Sequence, residues 1–414
     1  MVTHTPILGS RSDPDGLPEV HENPHRFARR TSNVSASAVR EILKVTERPE
    51  IISFAGGMPA PELFPVAAIA RAHAQVFAED GPAALQYSTT EGWLPLREWI
   101  ADRMRKRAIP AEADRVLITT GSQQGIDLVA KVFLERGDSV VVENPCYVAA
   151  LQAFSAYEAT PLPVESDDDG MRVDQVEQAL KQHPKLIYIV SEFSNPKGTT
   201  LSAERRRQLI ELSLRYRVPI LEDNPYGELR YSGVAPDALA ALDRDGMVIH
   251  IGTFSKTISP GMRIGWLLAS EDIFKEVVIA KQSADLHTST VEQRAAARML
   301  RDFDYDGHVA RLCRVYGERC ETMRDAIERH FPAGTRWTSP EGGLFLWVEL
   351  PATVSSDELF AEALHAQVAF VPGACFFTGE QPTNFLRLNF SNQPTDRIEE
   401  GVRRIAAALK RRMA

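Results

Sequence analysis

Residues Met247–Ser270 read MVIHIGTFSKTISPGMRIGWLLAS, two apolar runs around a polar turn. "MVIHIG" and "GWLLAS" are apolar without alternation, the pattern of strands covered on both faces. Between them Lys256 stands between two hydroxyl residues, Ser255 and Thr257, and Pro260-Gly261 makes a turn before Arg263. A lysine at the mouth of a strand is ordinarily a solvated charge. Its neighbours make that the weaker reading here, and the ends of the other strands decide it.

Working outward, the same kind of strand recurs at "RVLITTG" (115–121), "DSVVVENP" (138–145), "KLIYIVS" (185–191) and "VPILED" (218–223). Helical patterns such as "SQQGIDLVAKVFLERG" and "SAERRRQLIELSLRY" separate them. Buried strands joined through helices indicate an α/β fold with a largely parallel sheet. "DDDG" (167–170) reads as a turn. After the helix "STVEQRAAARML" the pattern changes to a long helix, "HVARLCRVYGERCETMRDAIERHF", three strand candidates, "GGLFLWVEL", "VAFVPGACF" and "FLRLNFS", and a terminal helix, "TDRIEEGVRRIAAALKRRM". This mixture indicates a smaller α+β domain. The expected division is an extension over 1–34, an N-terminal helix and large domain over 35–295, and a small domain over 296–414. From Ser35, "SASAVREILKVTE" spaces Val39, Ile42, Leu43 and Thr46 as a helix does.

The bulk numbers narrow the function classes. The chain has 414 residues, 44% hydrophobic and 25% charged, enough for two buried cores. A formal net charge of -9 gives no support for a nucleic-acid or anionic-membrane surface. Cys146, Cys313, Cys320 and Cys375 show neither metal-ligand spacing nor the density of a disulfide scaffold, so no metal is expected and a reducing compartment is. The first 27 residues lack the apolar core of a secretory signal, and a cytoplasmic location follows by default.

Polar residues gather where the strands end, the ligand side of a parallel sheet. In "TTGSQQG", Gly121 allows a close turn, and Ser122, Gln123 and the following helix N-terminus can hold an anion. The spacing is not that of a Walker loop. "ENPCYV" offers Tyr147 as a flat surface for a ring, and "SEFSNPKG" places Asn195 before Pro196, where a cis bond is accessible. "ILEDNPYGEL" ends a strand with Asp223 and adds Tyr226. With Ser255 and Arg263 for a phosphate, Lys256 for an aldehyde and Asp223 for a protonated ring nitrogen, the set meets the requirements of pyridoxal phosphate.

The run of motifs "SFAGGMPAPELFP", "QYSTTEGWLPLRE", "TTGSQQGIDL", "NPKG", "EDNPYGELRY", "FSKTISPGMRIGW" and "FLRLNFS", in that order, resembles the fold-type I pyridoxal-phosphate aminotransferases of class I/II. It is most similar to the group of 2-aminoadipate, kynurenine and broad-specificity aromatic or branched-chain aminotransferases. The likeness runs from Ser35 to the last helix. It implies a mostly parallel seven-stranded sheet, a smaller domain and a homodimer with shared active sites. It implies Lys256 as the Schiff-base lysine and general base, with Ser122, Gln123, Ser255 and Arg263 on the cofactor phosphate. Tyr147 would stack on the ring, Asn195 and Tyr226 would bond its phenolic oxygen, and Asp223 would pair with its nitrogen. Arg387 would grip the substrate α-carboxylate, helped by the Gly56-Gly57 backbone. Tyr87 would reach the neighbouring subunit's phosphate site. Ser37 and Arg40 match substrate-contacting positions, and an exposed helix arginine is the competing reading of Arg40.

Lys197 departs from the family pattern, which more commonly has threonine there; it is expected to be solvated or to alter charge near the entrance. The implied activity is transfer of an amino group from 2-aminoadipate, aromatic or branched-chain L-amino acids to 2-oxoglutarate. A lyase or decarboxylase on the same scaffold is the alternative enzyme. An effector-sensing regulator is the alternative outside enzymology, and the segment before Ser35 leaves little room for the DNA-binding module it would need.

Overall fold

A computed structural model describes residues 27–33, 41–42 and 48–413. Most of the helix expected from Ser35, with Ser37 and Arg40, and most of the expected extension lie outside the described residues. In chain order the strands are β1 (Ile52–Ser53), β2 (Val116–Thr119), β3 (Ser139–Asn144), β4 (Thr160–Asp167), β5 (Gly170–Met171), β6 (Leu186–Ile189) and β7 (Ile220–Asp223). They continue with β8 (Val248–Thr253), β9 (Gly265–Leu268), β10 (Arg336–Trp337), β11 (Phe345–Glu349), β12 (Val368–Ala369), β13 (Val371–Pro372) and β14 (Phe385–Asn389).

The large sheet has the order β2-β9-β8-β7-β6-β3-β4-β5. The run β8-β7-β6-β3-β4 is parallel, and β9 lies antiparallel between β8 and β2. All six residues of β8 and all four of β7 are buried, His250, Glu222 and Asp223 included, as in strands covered on both faces. The seven long strands of the expectation are present, and β5 adds a two-residue return onto β4 through the "DDDG" turn. The sequence reading missed β4, TPLPVESD, because its prolines argue against a strand. Pro161 and Pro163 share one parity, so along 160–165, where β3 is the strand's one partner, both missing N–H groups can fall on the open side.

The smaller domain carries the antiparallel sheet β10-β11-β14-β13. β1 pairs in parallel with β12, which brings the segment before Phe54 into this layer. The 26-residue helix Tyr305–His330 packs along the terminal helix Thr395–Met413. One apolar core runs without a break from Leu117, Leu221 and Ile249 of the large sheet to Phe345, Leu388 and Leu409 of the small domain. A second core gathers the helices Val66–Ala84, Leu94–Lys106 and Thr290–Asp302 over the β2-β9 edge. No helix among the described residues is long and apolar enough to cross a membrane.

Parallelism puts the carboxyl ends of β2, β3, β6, β7 and β8 on one edge of the sheet, β2 being parallel to β8 through their common antiparallel neighbour β9. After β2 the chain turns at Gly121, whose φ of +82° favours glycine, into the helix Ser122–Phe133. Gly265 of β9 seats that turn: a methyl added there would lie 2.7 Å from the Gly121 carbonyl carbon and 2.8 Å from Ser122 N. Both are backbone atoms and cannot rotate aside. Gly265→Ala is therefore expected to cost about 1–3 kcal/mol, read as a lowered urea midpoint. An unchanged midpoint would contradict this close packing.

Candidate active site

Lys256 follows β8 by three residues and is partly buried at the strand-end edge. Its Nζ donates to the Gly57 carbonyl at 2.8 Å. Burial, then the nearby Arg387 and Arg263 guanidiniums, pull its pKa from 10.5 down to about 8, against the pull of Asp223. The amine therefore has a substantial neutral fraction near neutral pH, the form that can attack a carbonyl or take up a proton.

Asp223 ends β7 and is 2% exposed. Burial raises its pKa to about 6, with Tyr188, His250 and Lys256 opposing the rise. The Tyr188 hydroxyl donates to Oδ2 at 3.0 Å, while Oδ1 finds no hydrogen-bond partner among the described residues. The adjacent Glu222 has its two oxygens on other business. It accepts from Ser191 at 2.7 Å and meets His250 Nδ1 at 2.9 Å. Burial would raise its pKa, but His250, Arg206 and Ser191 hold it down at about 2.

Arg387, on β14, is 2% exposed. One terminal nitrogen donates to Asn195 Oδ1 at 2.7 Å and the other to the Ala55 carbonyl at 2.5 Å. The guanidinium lies 4.4 Å from the Phe345 ring centroid and 5.0 Å from that of Phe376. Its Nε has no partner among the described residues, and burial lowers its pKa to about 10, which leaves it charged. The Asn195–Pro196 peptide is cis, as is Asn144–Pro145. Tyr226 is buried, within hydrogen-bonding reach of Asn195 and edge-on to Phe345. Burial pushes its pKa up, so the hydroxyl stays a donor.

Around the Gly121 turn lies a further set of residues suited to an anion. Arg263 is exposed and returns over Gly121, donating to the Thr120 carbonyl at 3.0 Å and the Pro260 carbonyl at 3.4 Å. Ser255 N donates to Thr253 Oγ1 at 3.1 Å, which fixes the start of the lysine turn. Ser122 and Gln123 open the helix that follows the Gly121 turn, and Gln123 Nε2 donates to the Ala149 carbonyl at 2.9 Å. Tyr147 stands just before the helix Val148–Ser155 and interacts electrostatically with Tyr226 and Arg387. Tyr87 is 79% exposed, with His287 edge-on to its ring at 5.9 Å.

Thus Lys256, Gly57, Asp223, Asn195, Tyr226, Arg387 and Tyr147 occupy one neighbourhood, flanked by Ser122, Gln123, Ser255 and Arg263. Tyr87 stands outside it, and Arg40 lies outside the described residues. Lys197 is not solvated: it is 9% exposed, and its Nζ donates to the Ser166 and Asp167 carbonyls at 2.7 and 3.1 Å. Buried Glu143 gives the reason for a cation there. Burial raises the Glu143 pKa to about 7, and Lys197 pulls against that rise. Tyr188, His250 and Phe345 escaped the sequence reading because each sits within an apolar strand pattern, where an aromatic ring or a histidine reads as core.

The residues fit pyridoxal phosphate: a bare buried carboxylate oxygen for a protonated ring nitrogen, a lysine with a lowered pKa for the aldehyde, and a glycine turn, helix start and arginine for the phosphate. The family model described as aminotransferase class I and II matches residues 49–405. Aromatic-amino-acid aminotransferase 1 of Thermococcus litoralis is 42% identical, over 94% of this chain and 94% of its own length. The 2-aminoadipate transaminase of Thermus thermophilus is 40% identical, over 93% and 96%. The crystal structure of Pyrococcus horikoshii kynurenine aminotransferase matches with a TM-score of 0.89 at 41% identity, over 94% of this chain and 98% of that one. A continuous match of this extent, on a strand-end site suited to that cofactor, establishes that the chain belongs to the class I and II aminotransferases, as a pyridoxal-phosphate-dependent enzyme of fold type I.

Proposed function

We propose that this enzyme transfers the amino group of L-amino acids to 2-oxoglutarate, accepting 2-aminoadipate, aromatic and branched-chain donors. The observation that carries the reading is Arg387, a buried guanidinium whose Nε has no partner among the described residues, in the electrostatic neighbourhood of the Lys256 amine. A cation so placed suits an α-carboxylate, and relatives named for aromatic amino acids and 2-aminoadipate support the donor range.

Pyridoxal phosphate, when bound, supplies an aldehyde for amines and a protonated ring that draws electrons from the substrate α-carbon. In the proposed site Ser122, Gln123, Ser255 and Arg263 hold the phosphate, Tyr147 covers the ring, and Asn195 and Tyr226 donate to its phenolic oxygen. Asp223 keeps a proton on the ring nitrogen. Arg387, with the Gly57 backbone beside it, fixes the substrate by its carboxylate, which decides the bond that breaks. Lys256 takes up the α-proton as general base, a role open to its neutral form. Arg40 is the proposed contact for an acidic substrate side chain. The exposed Tyr87 is proposed to complete the phosphate site of a second copy in a cytoplasmic homodimer; a monomer in sedimentation equilibrium would remove that element.

The Lys256 amine gives a pH signature. Because its pKa is lowered from 10.5 to about 8, the neutral amine fraction reaches one half near pH 8 and saturates above it. Capture of pyridoxal phosphate by the apoprotein is expected to quicken about tenfold per pH unit below that point and to level off above it. A rate still climbing at the same slope from pH 8 to 10 would contradict the lowered pKa, and Lys256→Ala should abolish the capture.

For the substrate range, 2-aminoadipate, glutamate, leucine, phenylalanine, tyrosine and kynurenine are each assayed with 2-oxoglutarate. Several donors are expected to react, and Arg387→Gln is expected to lower kcat/KM for all of them by about a hundredfold. No glutamate formed from any non-glutamate donor would sink the proposal, and a loss confined to one donor would sink the carboxylate role of Arg387.

A further inference from the structure

Tyr188 is the third residue of β6, and it is 1% exposed. It pairs in register with Leu221 of the neighbouring β7, and Asp223 stands two residues beyond Leu221. Alternation therefore puts Tyr188, Leu221 and Asp223 on one face of the sheet, and Ile187, Ile189 and Glu222 on the other. The cores agree, since Tyr188 and Leu221 lie in one apolar cluster and Ile187 and Ile189 in another. The diagonal step between two adjacent parallel strands is what lets the phenol reach the carboxylate at 3.0 Å.

We propose that Tyr188 is a positioning residue for the cofactor: its hydroxyl holds Asp223 Oδ2, so that Oδ1 is presented bare to the ring nitrogen. The inference rests on the pairing of Asp223 with that nitrogen proposed above. Two features of the site carry it. The two carboxylate oxygens differ, one bonded to Tyr188 and one without a partner among the described residues. The Tyr188 ring is itself fixed, with Phe154 edge-on at 5.5 Å. The titratable groups that act on Asp223 are Tyr188 from β6, Lys256 from the turn after β8, Cys146 after β3, Tyr226 after β7 and, from the other face of the sheet, His250 of β8, which pairs in register with Glu222. Of these, Tyr188 makes the hydrogen bond, whereas His250 Nδ1 is engaged by Glu222 and Lys256 by Gly57.

The physical consequence is twofold. A carboxylate bonded through one oxygen cannot swing freely about its terminal torsion, so Oδ1 keeps its aim. A buried carboxylate with neither oxygen bonded would readily take up a proton, and a neutral acid would no longer hold the ring nitrogen protonated. The phenol remains a donor, because burial and then the Asp223 charge push its pKa well above the ordinary tyrosine value.

Tyr188→Phe keeps the ring packed on Phe154 and removes the hydroxyl alone, so the protein is expected to fold, with far-ultraviolet circular dichroism as the check. The probe is pyridoxal phosphate labelled with 15N at the ring nitrogen, bound to the full chain. Two quantities are read, the 15N shift and the cofactor dissociation constant. Tyr188→Phe is expected to move the shift toward that of a neutral pyridine and to weaken binding about ten- to a hundredfold. In Asp223→Asn the same substitution should change neither quantity further. If Asp223→Asn loses the protonated-nitrogen signal but Tyr188→Phe retains both the signal and the affinity, the inference about Tyr188 is overturned. If Asp223→Asn itself retains both, the pairing of Asp223 with the ring fails, and the inference falls with it. An additive loss in the double variant would place Tyr188 in the packing alone.

Discussion

Lys256 and Arg387 share a largely buried neighbourhood with Asp223, and the exposed Arg263 acts on the same lysine. Three cations against one anion leave an excess of positive charge, which suits a ligand carrying a phosphate and a carboxylate. Burial, and then the two guanidiniums, lower the pKa of Lys256 to about 8, so that it is the group best able to give up its proton. Arg387 stays charged because guanidinium holds its proton so firmly. Electrostatics thus suits the division of labour proposed above, in which the arginines bind and the lysine reacts. Asp223 opposes that shift, and its burial among Tyr188, His250 and Lys256 brings its own pKa into the range where a proton can be shared.

The fold exists, in this account, to keep those groups together against their repulsion. The parallel strands deliver Tyr147, Asn195, Asp223 and Lys256 to one edge, each from a different strand end. Arg387 arrives from the small antiparallel sheet, pinned by Asn195 of one layer and the Ala55 carbonyl of the other segment. Phe54 carries that segment into the small domain, since its N–H donates to Ala369 O and its carbonyl accepts from Asn389 N. Arg387 and Lys256 are therefore held by different sheets joined through one uninterrupted apolar core. Small shifts between the layers would change the distance that matters for substrate.

Much of this was legible in the sequence. The unbroken apolar runs of β3, β6, β7 and β8 state their burial directly, and the polar residue closing each run marks the ligand edge. The resemblance supplied the role of Arg387, which its local pattern, an arginine in "FLRLNF", does not reveal. β4 was hidden by its prolines, which are tolerated where one side of a strand is open. Tyr188 was hidden for the opposite reason: a tyrosine in an apolar strand looks like core, and its hydroxyl acquires meaning through a partner 35 residues away. Lys197 read as a surface charge because the buried acid beside it, Glu143, lies on another strand. Long-range pairing of polar groups is the information that local pattern lacks.

The central claim is that the site moves an amino group between two carbon skeletons, with Lys256 as the group that reacts. Its most direct test is a single half-reaction: the pyridoxal-phosphate-loaded enzyme is mixed with an L-amino acid in the absence of any oxo acid, and the cofactor and products are quantified. Pyridoxamine phosphate and the matching 2-oxo acid are expected, one of each per active site, with no carbon dioxide released. Carbon dioxide, or repeated turnover with the cofactor returned unchanged as pyridoxal phosphate, would contradict it.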